Sequence, residues 1–449
     1  MSLSSHYKSI LRLGIPIAIG QIGVIIMGFA DTMMVGRFST DALAAASFVN
    51  SVFNLVTYMF LGYSYGLTPL ISSLMGRGER VQAGAALKHG LICNVLFASL
   101  LLGLMLVLYA YVDSLGQPVE LLPLIRPYFL TIWVSMLFVA IFNALRQFTD
   151  GISETSTGMW VLLLGNGLNI VGNLVLIYGI GPFPRLGLLG AGLSTMASRI
   201  VMAVVMVLLL LSRRRYACFR EGFRSISLRI AELKKVNHLS LPVSLQMGME
   251  SGAFTVSGVM AGWLGAVDMA TFQIMVTLGG LGFLLYYSFG SGISIRVANF
   301  YGQSDWIRLR QSARAGIHIL LVMAAVSSLI FYFCGESLIR CFTSDPAVVA
   351  LSLSLIFPLI LYQLGDAMQI CFANALRGTS HVLPMMWIAL VSYIVVNIPA
   401  SYLMAFPLNM GITGLYLAFS LGLFVAAGLF CWQFYRVCRI HGKQAVLVS

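Results

Sequence analysis

Apolar stretches of about 20 residues recur along the chain, separated by short polar or Gly/Pro-rich clusters. Twelve can be marked: 11–35, 45–71, 88–111, 122–146, 158–180, 187–212, 239–262, 268–297, 311–334, 351–376, 382–406 and 411–438. At a rise of about 1.5 Å per residue, a helix of that length matches the hydrocarbon core of a bilayer. The pattern predicts an all-α integral membrane protein with twelve transmembrane helices. Composition agrees: 59% of the residues are hydrophobic and 9% are charged, where soluble domains are about one quarter charged.

The first run, within MSLSSHYKSILRLGIPIAIG, has the basic start of a signal peptide. It is long enough to span and lacks a small-residue cleavage site, so it reads as the first helix. If the N-terminus is placed inside, the basic residues sort sharply. One side receives Lys8, Arg12, Arg77, Arg80, Lys88, Arg146, Arg296, Arg308, Arg310, Arg314, Arg377, Arg436, Arg439 and Lys443, with the whole 213–238 loop. The other receives Arg37, Arg126, Arg185 and Arg340. Both termini are therefore expected in the cytoplasm. The formal net charge of +12 would suggest nucleic acid in a soluble chain. Here cytoplasmic retention of basic loops explains it, although the Arg213–Arg215 run also suits anionic lipid.

A shift of 226 residues aligns the first three helices of each half. Pro16 falls on Pro242, Gly36 on Gly262, Gly66 on Gly292, Gly76 on Gly302 and Gly90 on Gly316. Further on, Asn143-Ala144-Leu145-Arg146 matches Asn374-Ala375-Leu376-Arg377, and Gly187 and Gly190 match Gly411 and Gly414. The common order points to a duplication. Each half has an even number of helices, so the halves share one orientation. The expected architecture is two six-helix bundles related by a pseudo-twofold along the membrane normal, with a cleft at their interface. The chain then divides into an N-terminal bundle (1–212), a basic cytoplasmic linker (213–238) and a C-terminal bundle (239–449).

Against this apolar background three acids fall deep in helices: Asp31, Glu250 and Asp366. An ionised carboxylate at a helix centre costs at least about 2.5–3.5 kcal/mol on insertion scales. Such a group should face water, carry a proton or hold a cation; a hydrogen-bonded carboxyl that fixes helix packing is the alternative. The repeat places Ser257, Val24 and Ser135 opposite the three acids, so none is a symmetric scaffold residue. Gln246 lies four residues before Glu250, and Tyr362 four before Asp366, each pair on one helix face. Asn169 and Asn173 form a third such pair, able to bond a carboxylate, ligate a small cation or bond between helices. Arg199 is the one basic residue marked as mid-helix, so the acids should be matched by an external cation: Na+, H+ or a cationic substrate.

Other features carry less. The seven cysteines form no CxxC pair and no His/Cys cluster, so neither a disulfide framework nor a metal site is expected. The 23 Met and 28 Phe would suit an adaptable binding surface but equally a core or a lipid face. Gly62-xxx-Gly66 and Gly248-xxx-Gly252 are close-packing motifs; Pro16, Pro358 and Pro399 are candidates for kinks. The only Gly-Lys, Gly442-Lys443, is followed by Gln, so no phosphate-binding loop of the GxxxxGK type is present. No enzyme activity and no cofactor are expected; transport would run on an ion gradient or a partner.

The stretches GFADTMMVGRFSTDALAAAS, LGYSYGLTPLISSLMGRG and GDAMQICFANALRGTS resemble the multidrug and toxic compound extrusion (MATE) family, over nearly the whole chain. The acid pattern is most similar to the NorM branch, with acids on the first, seventh and tenth helices. The resemblance implies a second-half cation site at Glu250 and Asp366 with Tyr362 near them. It implies a first-half site at Asp31 with Asn169, Asn173 and Thr195. Some relatives carry Asp where this chain has Asn173, which lowers the charge of that site. Substrate-cleft candidates are Gln246, Asp366 and Asp31.

The implied function is export of cationic, lipophilic compounds in exchange for Na+ or H+. It would be performed by a monomer of the bacterial inner (plasma) membrane, without nucleic acid. One rival is a lipid-linked oligosaccharide flippase of the same superfamily, which would want cations in its cleft. Another is a channel or a non-transporting membrane scaffold.

Overall fold

The computed structural model describes residues 3–442 apart from 115 and 117, and continues as backbone alone from 443 to 448. The Lys443 side chain, counted above among the basic residues, lies outside the described residues. The described chain is nearly all helical. The first half contains α1 (Leu3–Phe38), α2 (Thr40–Tyr65), α3 (Leu67–Gly76), α4 (Arg80–Ala110), α5 (Leu122–Gly151), α6 (Thr155–Tyr178), α7 (Leu188–Ser212) and the short α8 (Ala217–Ser225). The second contains α9 (Ile230–Leu264), α10 (Ala266–Gly302), α11 (Trp306–Arg340), α12 (Pro346–Ser354), α13 (Ile356–Gly378), α14 (Leu383–Ala389), α15 (Ile398–Ala405) and α16 (Gly411–Val448).

Among the described residues, 11 helices are long and apolar enough to cross a membrane. The remaining expected span, 239–262, lies inside α9. This helix has 35 residues but is not among those 11. Its polar side chains are the reason: Ser240, Ser244, Gln246, Glu250, Ser251, Thr255 and Ser257 all interrupt the apolar run. Such a composition suits a helix that meets protein or water over much of its surface. The three prolines singled out above sit differently. Pro358 lies in the first turn of α13, just past the break at Leu355 that ends α12, whereas Pro399 lies inside the unbroken helix Leu383–Ala405, where its missing N–H removes a helical bond. Pro399 follows a π-helical stretch, Leu390–Asn397, that joins α14 to α15. Pro16 lies well inside α1.

The chain forms two compact units, Ile19–Ser244 and Met1–Ala18 with Leu245–Ser449. The chain passes between them within α1 and α9, not in the 213–238 segment. The two crossings are repeat-equivalent, since residues 18 and 244 are 226 apart. The local cause is a matching pair of glycine contacts. In the first unit, a Cβ on Gly66 would lie 2.6 Å from Ser240 Cα, and one on Gly62 would lie 2.8 Å from Ser244 Cα. In the second, a Cβ on Gly292 would lie 3.2 Å from the Ile10 carbonyl oxygen. Each unit thus takes up the start of the first helix of the other half. The companion motif behaves differently: nothing lies within 4 Å of a Cβ on Gly252, so that glycine is not a close-packing one here.

The duplication is also written in the backbone. Left-handed residues recur at matching turns: Gly78 and Ser304, Ser153 and Ser380, Gly187 and Gly411. Close approaches recur with them. A Cβ on Gly190 would meet the Leu176 carbonyl oxygen at 2.5 Å, and one on Gly414 would meet that of Met404 at 2.7 Å. Aromatic packing fills each unit: Phe53 lies 4.8 Å from Phe129 in the first, and Phe254 stacks at 4.5 Å on Phe419 in the second.

Candidate functional site

The second unit places Glu250 and Asp366 in one polar region. Glu250 projects from α9 and Asp366 from α13. Asp366 is 1% exposed, and neither of its carboxyl oxygens has a hydrogen-bond partner. A buried group left in that condition is costly, whatever its charge state. Glu250 is partly buried and acts on Asp366 electrostatically. The Tyr393 hydroxyl, from the π-helical stretch, reaches Glu250 and accepts from Gln369 Nε2 at 2.9 Å. Tyr362, one turn before Asp366 on α13, is buried between Phe254 and Tyr416, with ring centroids 6.3 Å from each.

Glu250 lines a small cavity of about 10 Å³, room for about one water. Its polar lining comes from Gln246 and Glu250 on α9, Tyr287 on α10, and Gln369, Asn374 and Arg377 on α13. Met247, Phe283, Ile370 and Ala373 supply apolar wall. The helix period explains the set: positions 369, 370, 373, 374 and 377 share one face of α13, the face that also carries Asp366 one turn earlier. Arg377 is 3% exposed, donates from Nη1 to the Tyr287 hydroxyl at 2.8 Å and lies over that ring at 5.6 Å. This corrects the expectation that only an external cation is available: a buried guanidinium shares a cavity with Glu250. The sequence hid it because Arg377 falls at the end of its apolar run, where a basic residue reads as a topology signal.

The first unit brings together the other expected residues. Asn173 Nδ2 donates to Asp31 Oδ1 and lies 3.3 Å from Asn169 Oδ1. Asn169 Nδ2 donates to Thr195 Oγ1 at 3.0 Å. Both asparagines are fully buried. The chain Asp31–Asn173–Asn169–Thr195 therefore ties α1, α6 and α7 together. Arg199 donates to Ser135 Oγ at 2.6 Å and acts on Asp31 electrostatically. Asp31 is thus held by protein groups, whereas Asp366 is not.

Sequence reasoning missed Tyr393, Gln369 and Arg377. A tyrosine or glutamine in an apolar helix carries no motif, and its partners lie on other helices. The α13 spacing from Asp366 was the available signal. No group of three or more His, Cys, Asp or Glu side chains able to hold a metal ion occurs among the described residues. Two carboxylates with neutral oxygens nearby suit a proton or a monovalent cation better than a transition metal.

Helical spans, a duplicated bundle and buried acids are the parts of a multi-pass membrane transporter. The MatE family profile matches residues 16–175 and 242–403, and the chain belongs to that family. The two matches begin at equivalent points of the repeat, 16 and 242.

Solved structures carry the same fold. One is an outward-facing multidrug resistance MATE family transporter of the MOP superfamily, with TM-score 0.89, 20% identity, and 98% of this chain and 97% of that one covered. Another is a MATE in the bent conformation, with TM-score 0.89, 19% identity and 99% of both chains covered. A third is a MOP superfamily transporter from Pyrococcus furiosus, with TM-score 0.89, 19% identity and 97% of both chains covered. The reverse polarity of that protein's binding pocket was taken to suggest a different function.

Proposed function

We propose that this transporter is a secondary active multidrug exporter of the bacterial inner membrane, with both termini cytoplasmic. It acts as a monomer and exchanges cationic, lipophilic compounds for Na+ or H+ by alternating access. The observation that carries this reading is the buried Asp366 carboxyl, with both oxygens unpartnered and Glu250 beside it. Two such acids favour entry of a cation or proton, and either one lowers their attraction for a second cation. Exchange follows if the two ligands prefer different states of the protein. Glu250 and Asp366 are the coupling groups, with Tyr362 near them; Asp31 with Asn169, Asn173 and Thr195 is a weaker auxiliary site. Gln246 contributes to the substrate path.

A second reading, a lipid-linked oligosaccharide flippase, is favoured by one observation: Arg377 gives the second bundle a buried cation. A transporter of the same fold from Pyrococcus furiosus has a binding pocket of reverse polarity, which was taken to suggest a different function for that protein. Arg377 is engaged by Tyr287, however, and its cavity also holds Glu250. The cation-exchange reading accounts for both acids.

The test is efflux of a fluorescent cationic dye from de-energised cells, started by a Na+ pulse at constant pH or by a pH jump. One of the two should start efflux in the parent protein and neither in Asp366→Asn. Silence of the parent protein under both would overturn the reading and put the flippase first.

A further inference from the structure

The cavity inside the second bundle has a shape that ion exchange at Glu250 does not by itself require. Its α13 lining runs along one face from Gln369, one turn after Asp366, to Arg377 at the last turn. That end is the basic one, where Arg308 and Arg310 open α11 and Arg436 lies near the end of α16.

The side-chain oxygens of Gln246, Gln369 and Asn374 are buried along this path and have no hydrogen-bond partner. With the two oxygens of Asp366, they form a run of acceptors lacking donors. Acceptors left open in a buried space favour a cation or a water that donates. At the far end stands the opposite charge. Arg377 is buried and held by Tyr287 through a hydrogen bond and its ring face.

We propose that this cavity is the route by which the coupling cation leaves Glu250 and Asp366 for the basic, cytoplasmic end, within the second bundle itself. Arg377 is its electrostatic plug. The open amide oxygens replace the hydration shell of the passing ion. The fixed guanidinium opposes free passage, so the ion crosses only when Arg377 and Tyr287 move aside together. This inference rests on the cation-exchange reading above.

The test uses the full chain in proteoliposomes, reading tracer Na+ flux, or proton flux if H+ drives exchange, with and without dye. Removal of the charge in Arg377→Gln should raise dye-independent cation flux about tenfold or more, by the size of a unit charge interaction across a few ångströms of protein. Dye moved per ion should fall, and Arg377→Lys should restore the parent behaviour. Flux equal to the parent in a folded Arg377→Gln that still binds dye would overturn the proposal. So would loss of dye transport without any change in cation leak, the pattern expected if Arg377 only fixes the packing of α13 on Tyr287.

Ala373→Leu narrows the same cavity without touching a charge, and covers the case in which Arg377→Gln does not fold. It should slow exchange at least several-fold while dye binding persists; exchange at the parent rate would overturn the route. If the parent protein shows no cation-driven exchange at all, it is the functional reading that fails, a result distinct from these.

Discussion

Asn173 donates its side-chain amide to Asp31, while no donor reaches Asp366. The two acids occupy helices of similar apolarity but opposite electrostatic situations. One is a satisfied member of a polar chain and the other an orphan. Loss of Asn173 should therefore act through stability. Asn173→Ala leaves Asp31 and Asn169 each short of a donor, and should lower unfolding free energy by about 1–3 kcal/mol. Thermal unfolding in detergent checks it; an unchanged midpoint would show that water replaces the amide.

Asp31→Asn and Asp366→Asn should separate for the same reason. The first exchanges a carboxylate for an amide within an existing hydrogen-bonded chain, and should leave a measurable fraction of transport. The second removes the acid that lacks protein partners, and should abolish coupled efflux. Initial efflux rates at matched expression decide the matter. Equal losses would place both acids in one function.

Gly190 and Gly414 each press a neighbouring helix carbonyl at repeat-equivalent places. Alanine at either should force the helices apart and cost about 1–3 kcal/mol, the usual range for overpacking. Gly252→Ala, where the space is open, should be neutral or slightly stabilising through helix propensity. The three melting temperatures test the distinction between glycines that look alike in sequence.

His381 lies in the turn between α13 and α14, with its ring centroid 5.0 Å from that of His441. Burial pushes its imidazole below the usual histidine value, and His441 adds to this, against a bond to the Thr379 carbonyl that works the other way. The folded protein therefore holds His381 neutral at pH values where the unfolded chain has begun to protonate. Stability from this group is full above the ordinary histidine range near 6.5, and declines as pH falls from there towards the folded value. His381→Gln should flatten that part of the profile, read as melting temperature between about pH 7.5 and 5.5. A parallel profile in parent and variant would assign the acid sensitivity elsewhere.

Much of the fold was legible because it follows from periodicity alone. Runs of spanning length gave the helices, and turn glycines such as Gly187 and Gly411 gave the duplication, which the backbone dihedrals repeat. The crossing points within α1 and α9 were not legible. They depend on Gly66 meeting Ser240 and Gly292 meeting Ile10, contacts between residues far apart in the chain. The acids stood out because a charge in an apolar run has few explanations. Tyr393 and Gln369 did not, since only the packing of the π-helical stretch against α9 and α13 gives them a role. Arg377 falls at the end of its apolar run, where sequence position does not report burial.

If exchange runs through Glu250 and Asp366, one cation and the exported compound compete for the carboxylates of the second bundle. The direct measurement is equilibrium binding of a fluorescent cationic dye to the purified protein, titrated with Na+ at fixed pH and with pH at fixed Na+. One of the two titrations should displace dye from the parent protein, and this displacement should be lost or weakened at least tenfold in Asp366→Asn. Displacement that persists unchanged in Asp366→Asn would contradict that competition.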